Sequence, residues 1–134
     1  MKFSIATLAM SLGAVMAVND CRDSSFENNS SGGSPLISDC QQIVRNIQGD
    51  GSWTIPCALR GEHTYATYGT CAMGAHCTVE GANIAHIGNE DTIDLINDAI
   101  NRFSFDGKVG ASGRMLCEDN LGVEVTVQWG LYHT

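Results

Sequence analysis

Cysteine is the residue type in this chain that could do the most chemistry, and the sequence has six copies: Cys21, Cys40, Cys57, Cys71, Cys77 and Cys117. Cysteines can form disulfides, bind a metal ion or act as nucleophiles. No two have the Cys-x-x-Cys spacing that zinc sites and redox centres use. An even number in a short extracellular chain is typical of a disulfide framework, so we predict three bridges. The spacing alone leaves fifteen pairings open.

Histidines and carboxylates are the other residue types that could hold a metal ion. The four histidines are His63, His76, His86 and His133. They lack the short, regular spacing of metal-binding motifs, and we expect them to lie scattered on the surface. Glu90, Asp94 and Asp98 follow at four-residue steps on one predicted helix face and could offer oxygen ligands to Ca²⁺. A single helix face seldom wraps a cation, so we predict a solvated acidic face and no metal site.

One short segment combines groups suited to acid–base catalysis. Arg60, Glu62 and His63 together could supply the phosphate clamp, general acid and general base that an extracellular ribonuclease needs. Three polar residues near a hairpin are more often a solvated turn. The sequence "GASG" around Ser112 lacks the Gly-x-Ser-x-Gly frame of a nucleophile elbow. We therefore predict no catalytic residue and no cofactor, and we keep a ribonuclease-like hydrolase as a third function class.

The N-terminal segment predicts export. Lys2 precedes an apolar run over residues 5–15, and Val15 and Ala17 fit the small-residue positions before a signal-peptidase cut. The run is shorter than the ~20 apolar residues that span a bilayer. We predict a signal peptide over residues 1–17 and a single secreted domain over residues 18–134, without stable membrane insertion.

The charge balance restricts the partners. The 134 residues include 15 acidic and 7 basic side chains, for a net charge of −8. A protein this acidic is repelled by polyanions, which disfavours nucleic acid and anionic lipid. We expect an extracellular monomer.

The stretch between Cys21 and Cys40 carries two overlapping glycosylation sequons. Asn28 and Asn29 each begin an Asn-x-Ser triplet within a run rich in serine and asparagine. Such a composition indicates an exposed loop, and steric reasons favour the use of only one acceptor.

Two amphipathic segments predict helices. Near residues 35–47, Ser34 can cap and Pro35 fits the first helical position, with an apolar face following at helical spacing. Near residues 90–103, Asn89 can cap, and Ile93, Ile96 and Ile100 recur on one face.

The remaining segments predict strands. They lie at residues 53–57, 63–77 with a bend at Gly69, 83–87, 114–117 and 123–129, the last two joined by a hairpin turn. Val123, Val125, Val127 and Trp129 alternate with polar residues, so one face of that strand should be buried. The prediction is an α+β fold in which two helices pack on one face of an antiparallel sheet of four to five strands.

Several ordered blocks resemble one family of secreted fungal proteins, the necrosis-inducing effectors related to fungal extracellular protein two. The blocks include "CRDSSFENNSSGGSPLISDCQQIVRNI", "YGTCAMG", "GNEDTIDLINDAINRF", "GKVGASGRMLC" and "VTVQWGLYHT". The resemblance covers about residues 20–134. The family is more remotely similar to a virus-encoded fungal toxin, killer protein four, a disulfide-rich sandwich of two helices on an antiparallel sheet that blocks calcium channels.

The resemblance implies a non-enzymatic, secreted effector that perturbs a host, usually a plant, and can provoke cell death. The alternative that it implies is a killer-type toxin against competing microbes, acting through calcium channels. It carries no catalytic residue over to this chain. The polar segment would be a glycosylated arm and not itself the active surface.

The resemblance also bears on the disulfides. The family's four usual cysteines match Cys21, Cys40, Cys71 and Cys117, whereas Cys57 and Cys77 are additions, which implies that these two pair with each other. Cys40 lies on the apolar face of the first predicted helix, and Cys71 lies in a strand that this helix should cover. We assign Cys57–Cys77, Cys40–Cys71 and, for the remaining two cysteines, Cys21–Cys117 as a hypothesis; Cys21–Cys40 is the local alternative.

Overall fold

The computed structural model describes residues 17–58, 61–81 and 83–134; the first sixteen residues of the predicted signal peptide lie outside this part. The described chain forms two helices and seven strands. The helices are α1 (Ile37–Asn46) and α2 (Asn89–Phe103). The strands are β1 (Glu27–Asn28), β2 (Ser52–Pro56), β3 (His63–Tyr68), β4 (Cys71–Cys77), β5 (Ile84–Gly88), β6 (Ala111–Glu118) and β7 (Glu124–His133).

Five of the strands form an antiparallel sheet in the order β1-β6-β7-β4-β3, and β2 pairs with β5 in a separate antiparallel ribbon. The predicted class, α+β with two helices and an antiparallel sheet of four to five strands, is confirmed. The segments predicted near residues 53–57 and 83–87 are strands, but they pair with each other outside the main sheet. Pro56 is the last residue of β2, opposite Ile84, and beyond it the Cys57 N–H still donates to the Asn83 carbonyl at 2.9 Å.

The alternation in β7 separates a buried from a solvated side of the sheet. Val127, Trp129 and Leu131 are buried on what we call the inner face, and Tyr132 lies on the opposite, outer face. Residues directly opposite each other on neighbouring strands share a face, so the whole sheet follows this division. The prediction that Val123 is buried is wrong. β7 begins one residue later, and Val123 lies in the preceding turn with 59% of its surface exposed.

Both helices cover the inner face. The Cys40–Cys71 disulfide joins α1 to β4, and the Tyr65 hydroxyl lies 3.0 Å from the Thr92 hydroxyl, which joins β3 to α2. Of the apolar helix positions predicted to be buried, Ile43, Ile47, Ile93 and Ile96 are less than a tenth exposed. Val44, Ile100 and Phe103, predicted to be buried as well, are only half-buried against the same core. The predicted packing of two helices on one side of the sheet therefore holds.

α1 begins two residues later than predicted. Its N-cap is Leu36, and Ser34 does not cap the helix, because its hydroxyl accepts a hydrogen bond from the Ser31 N–H at 2.9 Å. The chain before α1 is held extended: the Pro35 carbonyl accepts from the Val109 N–H at 3.1 Å. Ser34 is therefore used by the preceding turn, and the pairing of Pro35 with Val109 keeps the chain extended up to Leu36.

α2 also starts differently from its prediction. Gly88 is the N-cap, and the Asp91 carboxylate accepts a hydrogen bond from the Gly88 N–H at 2.8 Å. Asn89, predicted to cap, is the first helical residue and is fully buried. Its side-chain amide donates to the carbonyls of Ile47 and Gln48, and its side-chain oxygen accepts the Val18 N–H and the Glu90 N–H. Asn89 therefore joins three separate segments of the chain.

The polar N-terminal segment is not a free loop, which corrects the prediction. Residues 18–29, which we call the N-terminal arm, run along the edge of β6. Backbone hydrogen bonds link Glu118 to Asp20, Arg22 to Leu116, Ser25 to Arg114 and Asn29 to Gly110, at 2.8–3.0 Å. A Cβ atom at Gly113 would collide with the Ser25 carbonyl, so a glycine is required where the arm crosses. The arm pairs with a sheet edge that would otherwise expose unpaired donors and acceptors.

In the part of the chain that the structure describes, neither helix has the length and apolar character needed to cross a bilayer.

Candidate functional site

Three disulfides tie the arm, α1 and β2 to the main sheet. They are Cys21–Cys117, Cys40–Cys71 and Cys57–Cys77, with Cα–Cα distances of 4.0, 5.3 and 5.2 Å. These are the pairs assigned by hypothesis from the sequence. No cysteine is free. The cysteines therefore act as cross-links in this structure, and none offers a thiol for catalysis or metal binding.

The histidines do not all lie on the surface as predicted. His133 is exposed, whereas His63, His76 and His86 are half-buried in strands. The Nε2 atom of His63 and the Nδ1 atom of His76 are buried without a hydrogen-bond partner among the described residues. Within that same part of the chain, no three His, Cys, Asp or Glu side chains are grouped so that they could hold a metal ion. The absence of a metal site stays a prediction.

The acidic side chains of α2 border a hollow of about 230 Å³ between that helix and the N-terminal arm. Asp94 is exposed and Asp98 is half-exposed, as a solvated face requires; burial and the charge of Asp98 raise the pKa of Asp94. Asp91 is buried instead. Burial raises the pKa of its carboxyl group. The N–H groups of Asp20, Gly88 and Cys21 donate hydrogen bonds to this carboxyl group, and these bonds oppose the rise in pKa. Asp91 therefore holds the arm against α2 and is a structural residue.

The two described members of the suggested catalytic cluster, Glu62 and His63, do not come together. Arg60 lies outside the described residues. His63 opposes Ala75 on the inner face, whereas Glu62 lies over Gly74 and Gly130 on the outer face. Successive residues of an extended chain point to opposite faces of a sheet, so Glu62 and His63 lie on different faces because they are adjacent in sequence. Glu62 instead lies near His76, whose charge acts on its carboxyl group.

A groove of about 440 Å³ lies on the outer face of the sheet, and we call it the outer hollow. Its lining includes Glu62, Asn29, Ser112, Gln128, Gly130 and Tyr132. β7 crosses its centre, and the loop at residues 31–35 forms one side. The described lining contains no lysine or arginine.

Two glycines shape the floor of the outer hollow. Gly74 and Gly130 are directly paired across β4 and β7, so two adjacent strands have no side chain at this point. The ring of Tyr132 lies across the gap: a Cβ at Gly74 would collide with its hydroxyl, and a Cβ at Gly130 would lie 3.3 Å from its Cδ2. The Tyr132 hydroxyl is 2.6 Å from that of Thr64, which fixes the ring in place. The ring covers bare backbone with one face.

Glu62 is the charged group of the outer hollow. Burial raises the pKa of its carboxyl group, and the nearby His76 partly opposes this. A Cβ at Gly130 would lie 3.1 Å from its Oε2 atom, so the carboxyl group reaches over the glycine floor. No hydrogen bond joins Glu62 or the Gln128 amide to another side chain of the described chain. Their donors and acceptors are available to a ligand.

Exposed apolar side chains gather at the other end of the sheet. We call Val79, Leu121 and Val123 the apolar end; they are 76%, 76% and 59% exposed. Asp119 builds the turn beneath them, because its carboxylate accepts the N–H groups of Leu121 and Val123, each at 2.8 Å. Burial raises the pKa of Asp119, but these hydrogen bonds and one from Asn83 outweigh it and hold the pKa below its usual range.

The two sequons lie where β1 meets the outer hollow, and Asn28 and Asn29 are both exposed. The Asn29 side-chain nitrogen donates to the Ser112 hydroxyl at 2.8 Å. The Asn28 side-chain oxygen accepts a hydrogen bond from the Ser30 N–H at 2.9 Å, and this bond does not involve the Asn28 side-chain nitrogen. The nitrogen is the atom that a glycan would modify, so the structure distinguishes the two acceptors.

Sequence reasoning missed the outer hollow. Its contributing side chains come from positions up to 103 residues apart, such as Asn29 and Tyr132, and no local motif connects them. One signal was present: glycines at positions 74 and 130 interrupt segments that otherwise read as strands. A glycine inside a strand marks a close approach of backbone or ligand.

Comparisons with known proteins agree with the resemblance of the sequence blocks. Residues 20–117 match the Hce2 family, described as "Pathogen effector; putative necrosis-inducing factor". Two relatives from Penicillium expansum are "Probable chitinase LysM18", 33% identical over 88% of this chain, and "Secreted chitinase LysM12", 30% identical over 82%. This chain spans only 8% and 7% of the length of those two proteins. The predicted extracellular location accords with the effector family, and the chain belongs to the Hce2 family of fungal effectors.

Proposed function

We propose that the protein acts outside the fungal cell as a non-enzymatic effector that perturbs a plant host in the apoplast and can provoke necrosis. The observation that carries this proposal is the match of residues 20–117 to the Hce2 effector family. Action by binding, without catalysis, is supported by the positions of Glu62 and His63 on opposite faces of the sheet.

The apolar end is the surface that we assign to the host target. Leu121 and Val123 are held by the Asp119 hydrogen bonds, so the turn is ordered before any partner binds. Exposed apolar side chains that gather on a rigid support favour a protein interface, because little conformational entropy is lost on binding. The net charge of −8 favours a partner whose contact surface carries basic groups around an apolar centre.

Infiltration of pure, folded protein into leaves of several cultivars tests this function. We expect cell death in responsive cultivars and none after disulfide reduction. Leu121→Asp should abolish the response, because it places a charge at the centre of the apolar contact. Phe105→Asp is the matched control: Phe105 is also exposed, at 52%, but lies in the turn between α2 and β6.

Two results would contradict the proposal. The first is the absence of any response in every cultivar. The second is a response that Leu121→Asp leaves unchanged, which would move the contact away from the apolar end. Hydrolysis of RNA that His63→Ala abolishes would favour an enzyme instead.

A killer-type toxin against competing microbes is the second candidate. The specific observation in its favour is that two relatives bear chitinase names, and chitin is a fungal wall polymer. Growth inhibition of other fungi, with or without calcium-channel block, separates the two candidates. Inhibition of fungi without a leaf response would favour the toxin.

A further inference from the structure

A row of small residues crosses four strands on the outer face of the sheet, and two of its members, Gly130 and Ser112, line the outer hollow. Thr64, Gly74, Gly130 and Ser112 are successive cross-strand partners from β3 to β6. With neighbouring strands about 4.8 Å apart, the row is roughly 14 Å long. The Tyr132 ring covers the Gly74 part of this row, so the part that lines the hollow lies at Gly130 and Ser112.

Tyr132 provides an aromatic surface in this row. One face of its ring rests on the backbone of Gly74 and Gly130, and the Thr64 hydroxyl holds its oxygen. The ring is half-buried and lines the hollow, so its second face is presented to the groove. An immobilised ring loses little entropy when a flat ligand stacks on it.

The groups around the ring are hydrogen-bonding groups and, apart from Glu62, uncharged. They are the Glu62 carboxyl, the Gln128 amide and the Ser112 hydroxyl. The unpartnered Nδ1 atom of His76 lies in the adjacent row, opposite Gln128. The described lining contains no lysine or arginine; the basic groups nearby are His133 in the lining and Arg114, which opposes Gln128 in the adjacent row. A ligand rich in hydroxyl and amide groups matches this set of donors and acceptors.

We propose that the outer hollow binds a neutral, hydroxyl-rich oligosaccharide, with Tyr132 as the stacking residue and Glu62 and Gln128 as hydrogen-bonding residues. The apolar end and the outer hollow share no residue. Glycan binding is therefore separate from the host contact assigned above, and either can fail without the other.

The glycan has two possible sources. One is a polysaccharide of a cell wall, met outside the producing cell. The other is the protein's own N-linked glycan, because Asn29 lines the hollow and Asn28 precedes it. Both sources present the same chemistry to Tyr132, so the experiment must distinguish them.

Titration calorimetry of the folded, secreted protein tests the proposal. The probes are N-acetylchitohexaose, cellohexaose and laminarihexaose, each added to glycosylated protein and to protein freed of N-glycans by endoglycosidase. We expect saturable binding of at least one probe. Tyr132→Ala should weaken binding by about tenfold through loss of the stacking surface.

Three further variants keep the result interpretable. Tyr132→Phe retains the ring but loses the hydrogen bond to Thr64, so it should bind more weakly than the wild type and more tightly than Tyr132→Ala. Glu62→Gln should weaken binding and keep the fold, because it preserves the shape of a side chain that makes no side-chain hydrogen bond within the described residues. Tyr68→Ala removes a more exposed tyrosine, 47% exposed on β3 outside the hollow, and should leave binding unchanged. Thermal melting of every variant identifies any that fails to fold.

The outcomes divide as follows. Binding in both glycosylation states assigns the site to an external glycan, whereas binding that appears only after deglycosylation assigns it to the protein's own glycan. Binding of no probe in either state overturns the proposal. So does binding that folded Tyr132→Ala and Glu62→Gln leave unchanged.

Discussion

The disulfide that closes the longest loop should stabilise the fold most. Cys21 and Cys117 lie 96 residues apart, whereas Cys57 and Cys77 lie 20 apart. In the chain-entropy model the long loop contributes about 4.7 kcal/mol and the short loop about 3.3 kcal/mol to the free energy of unfolding. The difference of about 1.4 kcal/mol is a factor of about ten in the unfolding equilibrium.

The structure makes these two bridges a matched pair. Each joins one buried cysteine, Cys117 or Cys57, to one half-buried cysteine, so replacement by alanine removes similar packing from both. The backbone hydrogen bonds along β6 keep the arm in place after its bridge is lost. The difference between the variants therefore comes from the entropy of the unfolded chain.

Guanidinium unfolding followed by tryptophan fluorescence measures the effect. Cys21→Ala/Cys117→Ala should lower the free energy of unfolding by about 1.4 kcal/mol more than Cys57→Ala/Cys77→Ala does. An equal or larger loss for the short-loop pair would refute the loop-entropy reasoning. A non-reduced peptide map that shows Cys21 linked to Cys40 would refute the pairing itself.

Three further predictions concern pH, packing and modification. The N–H and hydroxyl of Thr70 donate to Asp39 and hold the pKa of its carboxyl group below the usual range. The stabilisation of the fold by the ionised Asp39 carboxylate is therefore complete above about pH 4 and is lost as the pH falls through the lower folded-state pKa. Thermal melting from about pH 6 to about pH 2 measures this loss of stability. Ile96→Ala should lower the free energy of unfolding by about 2–5 kcal/mol, because the side chain is fully buried and leaves a cavity; guanidinium unfolding measures this loss. Mass spectrometry of secreted protein should find the glycan on Asn28, because the Asn29 nitrogen is bonded to Ser112.

Each of these predictions has a control. Asp39→Asn should remove part of the loss of stability at acid pH. An unchanged dependence of the melting temperature on pH would contradict the role of the Asp39 carboxylate. Asn97→Ala alters an exposed neighbour of Ile96 on the same helix and should change stability little. Asn29→Gln should leave the glycan in place and Asn28→Gln should remove it; the reverse pattern would refute the assignment.

The two helices and β7 illustrate what sequence patterns can predict. Ile93 and Ile96 mark the buried face of α2, and Val127 and Trp129 mark the buried side of β7. These signals arise from neighbours in sequence that share one face, so one chain segment contains the whole pattern. The helix starts were predicted less well. Ser34 and Asn89 have the right side chains to cap, but Ser34 accepts the N–H of the preceding Ser31, and Asn89 donates to the distant Ile47 carbonyl.

The sequence by itself determined the α+β class, the positions of both helices and a disulfide framework, because each depends on local periodicity or on residue count. Only the tertiary structure decided that the N-terminal arm becomes a sheet edge, that β2 and β5 form their own ribbon, and that Glu62 and Tyr132 meet over bare glycine backbone. These features depend on partners far apart in the chain, such as Thr64 and Tyr132, 68 residues apart. Which of several polar side chains finds such a partner is decided by the register of paired strands, and a one-residue slip would move every side chain to the opposite face.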